Sequence, residues 1–181
     1  MITAYVKVIS SFIRMNVVRF MSGKGVEFNA IQSFSLFCKI NIQKGAKVKF
    51  DSNVQITSGC NIFVASNAAL KIGEKTYFNE RCMISTQDNI SIGKNCLFGP
   101  DVKIYDNNHI FQTGVGVVHG KHKTKPIKIG DNCWVASNVV ILPGVEIGNN
   151  CVIGAGVILK GTVPDNSLVR SNAQNVIEPI K

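Results

Sequence analysis

Across residues 129–159 the chain keeps strict six-residue time: Ile129, Val135, Ile141, Ile147, Ile153 and Leu159 are all branched aliphatics. Four residues beyond each stands a small or β-branched side chain, Cys133, Val139, Val145, Cys151, Val157 and Val163. Gly130, Gly148 and Gly154 directly follow three of the lead residues. An α-helix, at 3.6 residues per turn, cannot hold this period on one face. A single strand has period two and no use for a glycine every sixth residue. Short strands broken by turns at each sixth residue do fit, so the expected fold is an all-β solenoid of parallel coils with the leads stacked inside.

The rest of the chain follows more loosely. Ile72, Phe78 and Ile84 step by six, as do Ile92, Phe98 and Ile104, and Ile42, Val48 and Val54 form an earlier, weaker trio. Two-residue slips at Leu70/Ile72 and Ile90/Ile92 separate the trios. Asn95, Asn132, Asn138 and Asn150 take the fourth repeat position, where a turn demands the left-handed backbone that Asn tolerates. Cys82, Cys96, Cys133 and Cys151 share one repeat slot otherwise filled by Val or Thr. Cys133 and Cys151 lie 18 apart, one three-sided coil, while Cys38, Cys60 and Cys82 are spaced by 22, as on longer coils. They are expected as buried free thiols acting as small hydrophobes, and no C-x-x-C spacing marks a metal site.

Three segments are expected. Residues 1–24 place Ile2, Tyr5, Val6, Ile9, Phe12, Ile13, Val17 and Phe20 at helical spacing, an amphipathic helix ending near Gly23. Residues 25–163 form the solenoid, and residues 164–181 a tail that begins at Pro164 and leaves the rhythm. Lys7, Arg14 and Arg19 interrupt the apolar N-terminus, unlike a secretory signal, so a cytoplasmic protein is expected. The helix is expected to cap the open end of the solenoid; its second reading is a peripheral contact with an anionic membrane.

The net charge of +9, from 20 basic and 11 acidic residues, has two denser regions: residues 1–26, with Lys7, Arg14, Arg19 and Lys24 and no acid before the end of the helix, and the run Lys121, Lys123, Lys125 and Lys128. It points to an anionic ligand, such as the phosphates of a nucleotide cofactor, or to an acidic membrane surface. No nucleic-acid partner is expected, since no recognition helix or aromatic RNA-binding motif accompanies the charge. One interruption breaks the solenoid between Ile104 and Ile129. Residues 105–128 contain Gly114, Gly116, Gly120 and Pro126 and read as a loop. They also hold all three histidines, His109, His119 and His122, which favours function.

The run Ile129-Gly-Asp-Asn-Cys-Trp-Val-Ala-Ser-Asn-Val-Val-Ile-Leu-Pro-Gly-Val-Glu-Ile-Gly, then Val152-Ile-Gly-Ala-Gly-Val, resembles the hexapeptide-repeat acyltransferases, most of all the sugar O-acetyltransferases of galactoside and maltose type. The segment Ile104-Tyr-Asp-Asn-Asn-His109 resembles their catalytic loop. The resemblance implies a left-handed parallel β-helix assembled as a homotrimer. It also implies acetyl-CoA as co-substrate in a groove between subunits, no metal, and transfer of the acetyl group to a hydroxyl of a sugar or polysaccharide precursor. By the same likeness His109 is the catalytic base, Asn79 and Asn108 meet the acceptor, and Trp134, Ser137 and Ala155 meet coenzyme A. Lys160 and Arg170 are candidate phosphate contacts by charge and place. His119 and His122 are assigned to loop or substrate contacts.

The chemistry is coherent. A sugar hydroxyl is a poor nucleophile until its proton begins to leave, and a neutral imidazole is a side chain that takes that proton near pH 7. Alternative readings are a non-catalytic structural solenoid and a zinc protein of the γ-class carbonic anhydrase kind. The latter needs three histidines from coil sides, whereas all three here share one excursion.

Overall fold

The computed structural model describes residues 2–23, 25–29 and 31–172, with side chains from residue 5; Lys24 and residues 173–181 of the expected tail lie outside them. One helix, α1 (Ile2–Ser22), precedes a parallel β-solenoid. The solenoid's three sides are three parallel sheets, of seven, seven and six strands, consistent with a left-handed β-helix. The first side runs from Val26–Phe28 to Thr162–Val163, the second from Ser33–Phe34 to Leu168–Val169, and the third from Lys39–Ile42 to Ile158–Leu159.

The leads stack coil on coil as their period requires. On the second side Ile56, Phe78, Phe98, Val135 and Ile153 pair in succession and are all buried. The rings of Phe78 and Phe98 lie parallel with centroids 4.5 Å apart. Each such side chain removed from water contributes roughly 1.5–3 kcal/mol, so the column supplies much of the stabilisation. The coils shorten along the chain. Val26 pairs with Val48 and Val48 with Leu70, both 22 apart; Leu70 pairs with Ile90, 20 apart; Ile129 pairs with Ile147, 18 apart; and Ile147 pairs with Val163, 16 apart. Four-residue strands on the first and third sides account for the long early coils, two-residue strands for the later ones.

These long early strands correct the phase of the first trio. Each carries two inward residues, so Ile42, Val48 and Val54 are all buried yet occupy different repeat positions. The residues in register with the later leads are Phe50, which pairs with Ile72, and Ile56, which pairs with Phe78. The tail also differs from its expected start. Val169 stands six after Val163 and pairs with Ile153, so the rhythm runs past Pro164 for one more side. A residue with no N–H is tolerated there because Pro164 occupies a corner rather than a ladder position.

The corners explain the asparagines. Asn95, Asn132, Asn138 and Asn150 have φ of 54°, 57°, 59° and 56°, as expected, and Asn166 continues them at 60°. Along one corner their amides form a ladder: Asn95 Nδ2 donates to Asn132 Oδ1 (3.2 Å), Asn132 to Asn150 (3.1 Å) and Asn150 to Asn166 (3.0 Å). Gly73, Gly93 and Gly130 stack at the neighbouring corner position, where a Cβ on Gly93 would stand 2.5 Å from the Gly130 carbonyl oxygen.

The six cysteines are free and buried. Thiols donate to carbonyl oxygens of the next coil, Cys82 to Gly99 (3.2 Å) and Cys133 to Gly148 (3.1 Å). Burial pushes the Cys38 thiol up, against the pull of Arg14.

Helix α1 departs most from its sequence reading. It lies over the open end of the first coil through Ser11, Met15, Val18 and Ser22, with Phe12 edge-on to Phe28, while most of its large apolar residues stay outside the contact. Ser11 Oγ accepts from Phe34 N (2.8 Å), Ser22 Oγ donates to Ile42 O (2.8 Å), and Arg14 donates to the carbonyls of Ser35 and Cys38. The first coil has no strand beyond it, so its backbone groups need partners, and polar side chains supply them. The apolar stripe of Tyr5, Val6, Ile9, Ile13, Val17 and Phe20 consequently faces outward, Phe20 being 90% exposed.

Candidate active site

The excursion of residues 105–128 is an antiparallel β-hairpin, Asn107–Gln112 against Gly116–Thr124, rather than an irregular loop. Gly114 and Gly116, with φ of 81° and 86°, make its turn, a conformation open to residues without a Cβ. It leaves the corner between the third and first sides, and its root is tied down by one carboxylate. Asp106 is fully buried; its Oδ1 accepts from Gln87 N (2.8 Å), its Oδ2 from Asp88 N (2.9 Å), and its carbonyl from Lys125 N (2.9 Å). Asn107 adds Nδ2 bonds to Ser85 O and Asp106 Oδ1, both 3.0 Å. Sequence reasoning missed Asp106. A buried carboxylate whose oxygens take two backbone N–H groups leaves no periodic trace, and its only signal was an acid in the place where the chain departs from the coil.

The hairpin carries His109, which is exposed, opposite His122, with ring centroids 4.8 Å apart and planes tilted by 43°. The register shifts by a bulge between His109 and Ile110, a device that re-aims side chains. Asn108 is exposed beside them opposite Lys123, and His119 is exposed further out without joining the pair. The structure thus unites His109 with His122, a partner the sequence did not single out. Among the described residues no three His, Cys, Asp or Glu side chains are grouped so as to hold a metal ion.

The other candidate residues gather at a different corner. Ser137 and Ala155 stand at the turn from the second to the third side on consecutive coils, each two residues beyond the paired leads Val135 and Ile153. Arg170 follows Val169 one coil further on, its Cα 3.5 Å from where a Cβ on Gly154 would lie. Trp134 precedes this corner on the second side, 52% exposed, in an outward ladder with Tyr77, Leu97, Val152 and Leu168. Asn79 lies at the same corner two coils below Ala136; its Oδ1 accepts from Glu80 N (2.8 Å). Beside it Arg81 donates to both carboxylate oxygens of Asp101 (3.0 and 2.9 Å), which holds that carboxyl below its ordinary range.

Lys160 does not join this group. It follows Leu159 at the corner where the hairpin is rooted. Within one chain, therefore, Trp134, Ser137, Ala155, Arg170 and Asn79 share one corner, while His109, Asn108 and Lys160 belong to the other. The third side separates them, five residues from Ser137 to Leu142, which extended chain spans in at most roughly 17 Å. That side is mixed outward, with Lys39, Asn61, Met83, Lys103, Val140 and Ile158 in register and only its last two coils apolar, Ile158 being largely exposed.

Fold and site define a three-sided parallel β-solenoid with an exposed histidine hairpin. Residues 126–161 match the family model described as bacterial transferase hexapeptide (six repeats). The galactoside O-acetyltransferase of Escherichia coli is 34% identical over 104 residues, 58% of this chain and 51% of that protein. A maltose O-acetyltransferase from Clostridium difficile superposes with a TM-score of 0.54 at 26% identity, over 93% of this chain and 75% of the other. A hexapeptide-repeat acetyltransferase from Vibrio cholerae, solved with acetyl coenzyme A, superposes at 0.54 with 22% identity, over 86% and 70% of the two chains. The chain spans about half the length of the curated relatives it matches. The likeness expected from the hexads of residues 129–159 is found.

Proposed function

We propose that the protein is an O-acetyltransferase that moves an acetyl group from acetyl-CoA to a hydroxyl of a sugar or polysaccharide precursor. The observation that carries the reading is the hairpin: an exposed imidazole held on a strand anchored by buried Asp106, on a scaffold whose residues 126–161 match a transferase model. The relatives named as galactoside and maltose O-acetyltransferases support the acceptor class, and the Vibrio neighbour supports the donor.

In this reading His109 takes the proton of the acceptor hydroxyl as its oxygen attacks the thioester carbonyl. The carbon–sulfur bond then breaks, coenzyme A leaves as its thiol with the proton returned from the imidazole, and the acetyl ester is the product. General-base help of this kind contributes roughly 10²–10⁴-fold. His122 lies against the His109 ring and limits its orientation. Asn79 and Asn108 contact the acceptor, Trp134 flanks the coenzyme, Ser137 and Ala155 line the pantetheine path, and Lys160 and Arg170 meet its phosphates.

The two groups of residues root at opposite ends of the third side, so the complete site forms where the hairpin of one copy meets the Trp134 corner of another. A homotrimer supplies that meeting three times and covers the outward apolar ladder of the second side together with Val140 and Ile158 at the end of the third. The test is thiol release from acetyl-CoA across a panel of sugars, nucleotide sugars and glycans. Release that depends on an acceptor is expected. No acetyl-CoA binding and no release with any acceptor would leave a non-catalytic solenoid.

A further inference from the structure

The outward stripe of α1 is an apolar surface that the proposed chemistry leaves unused. At 100° per residue Ser11, Met15, Val18 and Ser22 share the quarter of the helix that meets the coil, while Val6, Ile9, Ile13 and Phe20 centre on the opposite side. Exposed Lys7 borders this stripe on one flank and exposed Arg19 on the other, with no acid anywhere on the helix. The surface continues beyond the helix. Exposed Leu36 and Phe37 sit in the turn whose neighbours Ser35 and Cys38 accept from Arg14, so the same end of the molecule presents them.

We infer that this end docks onto an anionic lipid surface, with α1 lying in the plane of the interface. The stripe enters the boundary between headgroups and acyl chains, and Lys7 and Arg19 reach the lipid phosphates from its two borders. The helix does not cross, since no described helix is long and apolar enough to span a membrane. The net charge of +9 adds long-range attraction to the same surface.

Two features favour lipid over a second copy of the helix. The stripe covers about half the circumference, wider than the narrow seam of a coiled coil. Asn16 and Arg19 also stand seven residues after Ile9 and Phe12, where a helix-pairing seam needs apolar side chains. With no acid on α1, a facing copy would bring cations to cations.

This inference stands apart from the catalytic reading, and its test needs no turnover. The full chain is mixed with vesicles of phosphatidylcholine containing phosphatidylglycerol, and with vesicles of phosphatidylcholine alone, then sedimented. Binding to the anionic vesicles is expected, weakening as salt rises, with little binding to the neutral ones. The double variant Ile13→Glu, Phe20→Glu should bind the anionic vesicles roughly tenfold more weakly or worse. Its melting temperature should hold, because both residues face solvent. Absence of binding to anionic vesicles, equal binding to both kinds, or a folded double variant that binds as well as wild type would each overturn the inference. So would a double variant that falls to a smaller assembly with vesicle binding unchanged, which would give the face to a second copy.

Discussion

At the scale of the residue, the hairpin sets two imidazoles against each other, and their surroundings make them unequal. His109 follows Asn108 and precedes the bulge, so its side chain is the one the irregularity re-aims. His109→Ala is expected to lower kcat by roughly 10²-fold or more while acetyl-CoA affinity and melting temperature stay near wild type, because the side chain is exposed. Steady-state kinetics would show His119→Ala and His122→Ala costing much less, and a loss confined to either of those would move the base to it. A second residue-scale expectation concerns packing. Gly93→Ala forces a Cβ to within 2.5 Å of the Gly130 carbonyl oxygen, so overpacking should cost roughly 1–3 kcal/mol. A denaturation midpoint equal to wild type would show that the coils can part there.

At the scale of the element, the sequence was legible wherever a period repeats and silent where a single contact decides. The hexads placed the leads, and the fourth-position asparagines placed left-handed turns, because each coil repeats the same steric demand on the same residue. The hairpin was hidden because its strands pair with each other and carry mixed side chains, while Gly114 and Gly116 advertised only a turn. The helix was recognised, yet its docking face was not. Periodicity reports an apolar stripe, but the coil end needed donors and acceptors, and Ser11, Arg14 and Ser22 answered it. Asp106 escaped for the same reason, being one side chain that satisfies two N–H groups. Asp106→Ala should orphan both, at roughly 1–3 kcal/mol each, and free the hairpin root. Hydrogen exchange should then rise in residues 107–124 with the coil cores unchanged, and activity should fall with His109 still in place. Exchange unchanged in that segment would show that the hairpin is held elsewhere.

At the scale of the whole molecule, a tapering stack of coils gives each side a distinct surface. The first side is charged outward, with Lys49, Lys71, Lys128 and Glu146. The second carries the apolar ladder from Tyr77 to Leu168, and the third is mixed, with Lys103 between Met83 and the final apolar pair Val140 and Ile158. Polar surface tolerates water and apolar ladders of this length call for a partner, so sedimentation should give a trimer, and a stable species of 19.7 kDa at micromolar protein would contradict it. In the proposed reading the same assembly completes the site, since His109 and the Trp134 corner are rooted at opposite ends of one side. The most direct test mixes two inactive variants, His109→Ala and Ala155→Trp, the second filling the coenzyme path at an exposed position. Unfolded together and refolded as mixed trimers, they are predicted to regain acetyl transfer at roughly a quarter of the sites, those that pair an intact hairpin with an intact corner from a neighbour. Activity that stays at the level of the separate variants would contradict a site shared between copies.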